Sequence, residues 1–285
     1  MARKKENSNL YLTLIRLRRN KLAVLGLIIM VLLVIIAIFA PYIAPYHYAT
    51  QNLVDAFEPP SSKYLLGTDE YGRDILSRMI YGARISLQVG ILAVMLAMIS
   101  GGLLGAVAGY YGGRLDEIIM RTMDVFLSIP QIVLAIAIAA ALGPGLLNLT
   151  VAVGIAAMPT FARVVRGAVL SIVGQEFIEA AQCMGARDSW ILFRHVLPNC
   201  SAPIIVQATL RVAQAILAAA SLSFLGLGIQ PPFPEWGGML ASARGYIRDY
   251  AYMMISPGLA IMIVIMALNF VGDGLRDAMD PKQKR

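Results

Sequence analysis

The chain is poor in residues that could do covalent chemistry. Nucleotide hydrolysis needs a Gly-Lys-Ser/Thr loop whose amides and lysine cradle phosphates, and none of the 25 glycines is followed by lysine. The zinc pattern H-E-x-x-H needs two histidines four apart, and the only two here are His47 and His195. No Gly-x-Ser-x-Gly elbow occurs. Two cysteines, Cys183 and Cys200, exclude a disulfide scaffold. The sequence therefore reads as non-enzymatic, with no catalytic, cofactor-binding or metal site. What remains are charges next to or inside apolar stretches. Acidic residues within spans mark ion-coupled transport, so an ion-driven secondary transporter is the competing class. Asp124 reads as a headgroup-level ion pair with Arg121, and Arg211 either snorkels or pairs with a carboxylate. Neither makes a proton relay.

The elements that hold these residues are apolar. Of 285 residues, 58% are hydrophobic and 14% charged, whereas soluble domains carry about 25% charged residues. That balance excludes a soluble enzyme, and disorder needs the opposite one. A membrane helix needs about 20 mostly apolar residues. Six runs qualify: Leu22–Ala40, Ser86–Gly109, Val125–Leu142, Leu146–Ala162, about Ala202–Leu225, and Tyr250–Val271. The first run is longer than the roughly 7–15 residues of a signal-peptide core and no small-x-small site follows, so it reads as a retained anchor. Pro130 and Pro159 free backbone carbonyls within the third and fourth runs, and Gly101, Gly102, Gly105 and Gly109 put small residues on one face of the second. The substrate path itself is not readable. The fold class is all-α, a polytopic membrane protein of six transmembrane helices. Its parts are residues 1–21, the first span at 22–40, an outer segment at 41–85, a five-helix core at 86–271, and a tail at 272–285.

The net charge of +7 follows from topology. With six spans both termini share a side. That side collects 17 Lys and Arg residues, including Arg3, Lys4, Lys5, Lys282, Lys284 and Arg285, against 6 on the other. Positive charge accumulates in the cytoplasm, so both termini are read as cytoplasmic and no nucleic-acid partner is needed. Membrane lipid is the partner the composition demands.

Segment 41–85 is then outside. Its Pro-rich first half reads as extended, followed by a short helix capped by Thr68 or Asp69, with Ile75, Leu76, Met79 and Ile80 as its stripe, Asp74 and Arg78 paired, and a place on the membrane surface. Segment 226–249 reads as a fixed Pro/Gly loop with Trp236 as an interfacial anchor, or as a face for a soluble partner. Segment 171–199 is cytoplasmic. Gln175–Met184 is helix-permissive, with Phe177, Ile178, Ala181 and Met184 at helical spacing, and Gly185 suits the left-handed position that ends a helix. Asp188 or Ser189 can cap a second helix through Trp190, Ile191, Leu192 and Val196, stopped by Pro198. Such a pair is too small to form its own core, so it docks on the membrane surface or in a groove of a cytoplasmic protein.

Glu179-Ala180-Ala181, three residues, Gly185, nine residues, then His195-Val196-Leu197-Pro198-Asn199 resembles the EAA loop of ABC-importer permeases. Leu66-Gly67-Thr68-Asp69, Gly72-Arg73-Asp74, Ser77-Arg78, Tyr81-Gly82-Ala83-Arg84, Ser223-Phe224-Leu225-Gly226-Leu227-Gly228 and the tail Gly272-Asp273-Gly274-Leu275-Arg276-Asp277 are similar to the C-type subunit of the dipeptide, oligopeptide and nickel permeases. The resemblance runs from about residue 20 to the C-terminus. It implies a type I permease of a bacterial or archaeal cytoplasmic membrane with a helix-turn-helix coupling loop. Its implied partners are a homologous second permease, two ATP-hydrolysing subunits and an extracytoplasmic substrate-binding protein. It places ATPase coupling on Glu179, Ala180, Ala181, Gly185, Arg187, Trp190, His195, Leu197, Pro198 and Asn199. The implied cargo is peptides, with nickel or glutathione as alternatives within the same architecture.

Overall fold

The computed structural model describes residues 15–279. Arg3, Lys4, Lys5, Lys282, Lys284 and Arg285 of the charge reading lie outside the described residues. No strand forms among those described. The long elements are α1 (Lys21–Ile38), a single turn α2 (Ala40–Ile43), α3 (Ile75–Tyr111), α4 (Gly113–Ser128), α5 (Gln131–Leu142) and α6 (Leu146–Val173). Then come α7 (Glu176–Cys183), α8 (Asp188–Ile191), α9 (Ser201–Phe224), α10 (Trp236–Ala243) and α11 (Tyr252–Met279). Five of them are long and apolar enough to cross a membrane, and the bent pair α4–α5 makes a sixth crossing if taken as one.

Local chemistry explains the starts and breaks. Asn20 caps α1, its Oδ1 accepting the Leu22 and Ala23 N–H groups at 3.1 and 3.2 Å. The run expected as one third span is broken, with α4 and α5 meeting at 91°. Pro130 has no N–H and forces Ile129 into an extended conformation, φ −93° and ψ 128°. Pro159, by contrast, lies buried inside α6 without interrupting it. α6 also outruns its uncharged stretch, because Arg163 and Arg166 find carboxylates on α4: Asp124 at 2.7 Å and Asp116 at 2.5 Å. Asp124 thus pairs with Arg163 and not with the expected Arg121.

Helices α3 and α6 form the centre. A Cβ on Gly101 or Gly105 would collide with the carbonyl oxygens of Met158 and Ala162, so only glycine allows this backbone approach. Around it, Val89, Ala93, Ala97, Leu134, Leu149, Val153, Phe161 and Leu222 bury one apolar cluster shared by α3, α5, α6 and α9. A second joins α1, α3, α9, α10 and α11.

The end of the molecule that holds 44–74 and 226–251 departs most from expectation. There is no separate short helix before the second span: Asp74 caps α3, which then runs 37 residues without a break. Thr68 and Asp69 belong to the preceding turn, Ile75 is buried, and Arg78 turns to Asp69, not Asp74. Trp236 is not an interfacial anchor. It is 1% exposed, and its indole N–H donates to the Met79 carbonyl at 3.1 Å. The Pro/Gly segment also contains a helix, α10, whose first turn is held by the Glu235 carboxylate accepting the Gly237 and Gly238 N–H groups at 2.9 and 2.7 Å.

Candidate functional site

Residues 174–200 build the site at the opposite end. α7 closes in a Schellman turn. The Gly185 N–H donates to the Gln182 carbonyl at 2.9 Å and the Ala186 N–H to the Ala181 carbonyl at 3.2 Å. Gly185 has the expected positive φ, 77°, which a side chain adopts at a cost of about 1 kcal/mol. Beyond the turn, Arg187 occupies the cap position with no side-chain bond, and Asp188 is the first helical residue, not the cap. Asp188 instead accepts a hydrogen bond from the Tyr110 hydroxyl at 3.2 Å, tying α8 to the end of α3. Pro198 does not stop the helix. A π turn over Leu192–Val196 and a last turn at Leu197–Asn199 carry the chain into α9, interrupted only at Cys200.

The inner face docks on the chain itself. Ile178, Ala181, Ile191, Leu192, Val196 and Cys200 are buried with Ala106 of α3 and Val165 and Val169 of α6. Burying an isoleucine or valine of this kind contributes about 1.5–3 kcal/mol, so the helix pair is seated without any further partner. The expected stripe splits, because Phe177 and Met184 point away, 40% and 81% exposed.

The outer face is what remains. Glu179, Ala180, Gly185, Arg187, Trp190, Pro198 and Asn199 are exposed, His195 and Leu197 half-buried, and Ala181 alone belongs to the seat. Trp190 and His195 meet edge to face, ring centres 4.6 Å apart. The Asn199 amide donates to the His195 carbonyl at 2.7 Å. The Glu179 carboxylate makes no bond among the described residues, so it does not hold the turn. Phe193, 59% exposed, joins Phe177 and Met184 on this face. None of the three was singled out for the site. The available signal was a large apolar residue off the buried stripe of an amphipathic helix.

The loop-rich end is the reverse. Asp69 accepts from Arg73 Nε at 2.6 Å and lies 3.4 Å from Arg78 Nε, all three side chains under a tenth exposed. Arg78 also donates to the Tyr48 and Pro232 carbonyls, both at 3.2 Å. Burial pushes the Glu235 carboxyl above the ordinary range, opposed by its two amide donors.

A six-crossing helical bundle with a self-seated helix-turn-helix at one end is the architecture of a type I importer permease. The MetNI methionine ABC transporter, solved in inward-facing conformations, contains a chain of similar fold, 21% identical with a TM-score of 0.58, covering 72% of this chain and 98% of that one. Residues 101–285 match the binding-protein-dependent transport system inner membrane component, and residues 8–60 match the N-terminal TM domain of oligopeptide transport permease C. The chain belongs to this family of binding-protein-dependent inner-membrane transport components. Relatives include the dipeptide transport system permease protein DppC of Alkalihalophilus pseudofirmus, 50% identical over 94% of this chain and 88% of that protein. The glutathione transport system permease protein GsiD of Pectobacterium atrosepticum is 48% identical over 94% and 90%. Membership sets aside the ion-driven alternative.

Proposed function

We propose that this chain forms half of the translocation pathway of an ATP-driven importer for di- or oligopeptides, pairing with a homologous second permease and acting without catalysis of its own. An extracytoplasmic binding protein delivers the cargo at the loop-rich end. Two ATPase subunits dock below, one of them on the outer face of the 171–199 loop. Both termini, residues 1–21 and 272–285, are cytoplasmic, as the 17-to-6 charge division requires. The observation that carries the reading is the seated helix pair whose outward residues, Glu179, Arg187 and Trp190 among them, have no covering of their own. The names of the relatives supply the peptide cargo, and the glutathione permeases among them favour a second reading with that tripeptide.

The purified chain alone should hydrolyse no ATP. Reconstituted with sister permease, ATPases and binding protein, it should take up labelled di- and tripeptides, with hydrolysis stimulated by loaded binding protein. Intrinsic ATPase activity, or uptake confined to glutathione, would overturn the corresponding part of the reading. Cysteines placed near Lys63 and Arg244 should label from outside intact cells, and one at Arg187 should not; the reverse pattern inverts the topology.

A further inference from the structure

Most helix faces left open by the fold are those of a lipid-facing surface: Leu25, Ile28 and Leu32 on α1, Met95 and Ile99 on α3, Met262 on α11. The open face of α9 is different. Its buried residues, Ala213, Ile216, Ala220 and Ser223 among them, turn toward the bundle. The opposite stripe reads Gln207, Arg211, Gln214, Ala218 and Ser221, at successive spacings of four, three, four and three, so it runs down one side of the helix. Gln214 and Ser221 line an open cavity of about 270 Å³ together with Gln131, brought there by the break at Pro130, and with the apolar Ile132, Leu217 and Ala218.

Arg211 stands at the eleventh of 24 positions in α9, about 15 Å from its first residue at 1.5 Å per residue. It does not snorkel. Its Nη1 donates to Gln214 Oε1 at 2.6 Å, one turn further into the helix, and no carboxylate among the described residues pairs with it. α9 contains no acidic residue at all. A permanent cation at mid-span beside three amides or hydroxyls is untenable against lipid and is expected facing a water-filled path.

We infer that this stripe of α9 lines the substrate pathway and that Arg211 is the counter-charge for a carboxylate of the passing solute. The inference rests on the peptide reading for its cargo, since every free peptide carries a terminal carboxylate. It rests on α9 alone for the path.

The test uses the assembled transporter in membrane vesicles, with Cys183→Ser and Cys200→Ser as background. Gln214→Cys should react with small, membrane-impermeant thiol reagents, and Met262→Cys should not. Relative to a free thiol in solution, the anionic reagent should be favoured over the cationic one by about tenfold at Gln214→Cys, as a cleft of one sign concentrates its counter-ion. Arg211→Gln should abolish that preference. In peptide uptake, Arg211→Gln should lose about tenfold per ATP hydrolysed, a difference of about 1.4 kcal/mol, and Arg211→Lys should retain most of it. A Gln214→Cys that stays unreactive in every nucleotide state overturns the path. An unchanged reagent preference in Arg211→Gln overturns the counter-charge, and so does loss of the partner permease on purification, which would make Arg211 an inter-subunit ion pair. A wild-type complex that moves no peptide would instead fail the cargo reading, while the labelling result stood on its own.

Discussion

The two ends of this permease use their polar residues in opposite ways. At the loop-rich end Asp69, Arg73, Arg78 and Glu235 are buried and bonded to one another or to backbone. At the 174–200 end Glu179, Arg187 and Trp190 are exposed, while the apolar residues beneath them are covered by the chain's own helices. The first arrangement fixes a shape; the second leaves a surface for something else to complete. Substitutions at the loop-rich end should therefore cost stability, and those on the outer face of 174–200 should cost assembly.

The largest effect is expected at Asp69. Asp69→Ala takes from buried Arg78 its paired carboxylate and from buried Arg73 its nearer one, leaving Arg73 only Glu70 at 3.5 Å, a loss of about 3–5 kcal/mol, seen as a fall in thermal midpoint and folded yield of the detergent-purified chain. An unchanged midpoint would mean that this end is not held by its ion pairs. Ile178→Ala, which opens a cavity in the seat at a cost of about 2–5 kcal/mol, should act more locally. Amide exchange should accelerate over 176–200 and stay slow in α3 and α6; uniform acceleration would dissolve the distinction between seat and surface.

On the outer face the sign of the comparison reverses. Glu179→Lys should leave the unfolding midpoint alone and weaken co-purification of the ATPase about tenfold, which is 1.4 kcal/mol. Full retention of ATPase and uptake would reduce the segment to a bare surface helix. Gly185→Ala adds strain at φ 77° of about 1 kcal/mol, enough for a several-fold loss in docking with the spans still inserted.

The smallest effect returns to the loop-rich end. Lys63 lies 2.6 Å from Asp55 but is half exposed, and solvent screening leaves exposed pairs little to contribute. Its hydrogen bond holds the Asp55 carboxyl below the ordinary 3.8. That stabilisation is present above the ordinary value and lost as pH falls through the lowered one, so Lys63→Gln should differ from the parent slightly at neutral pH and not at all in strong acid. A large neutral-pH loss would show that exposed pairs matter here too.

What the sequence made legible was local. The turn at Gly185 depends on bonds within five residues, so its positive φ could be read from spacing alone. Spans followed from uncharged runs for the same reason. Several misreadings involve partners far along the chain. Trp236 is buried because its indole reaches a carbonyl 157 residues away, and Arg78 turns to Asp69 because loops 48 and 232 close over it. The sharp angle at Pro130 exceeds what a proline alone imposes, since α6 supplies arginine partners, Arg163 and Arg166, that hold α4 aside through Asp124 and Asp116. Likewise, the outward residues Phe177 and Phe193 stand off the buried stripe, which only the helices beneath them define.

The near-continuity of helix from Asp188 to Phe224 makes a lever of the coupling segment. Its one interruption, at Cys200 with φ −88° and ψ 0°, is a fulcrum placed just above the outer face. A helix of 24 residues is a stiff arm about 36 Å long. Tilting it by 10° would carry its far tip about 6 Å and its midpoint, where Arg211 sits, about half that. On the docking proposed above, a shift of one side-chain radius at that face would be geared up into a change in bore, with no need for any helix to unwind.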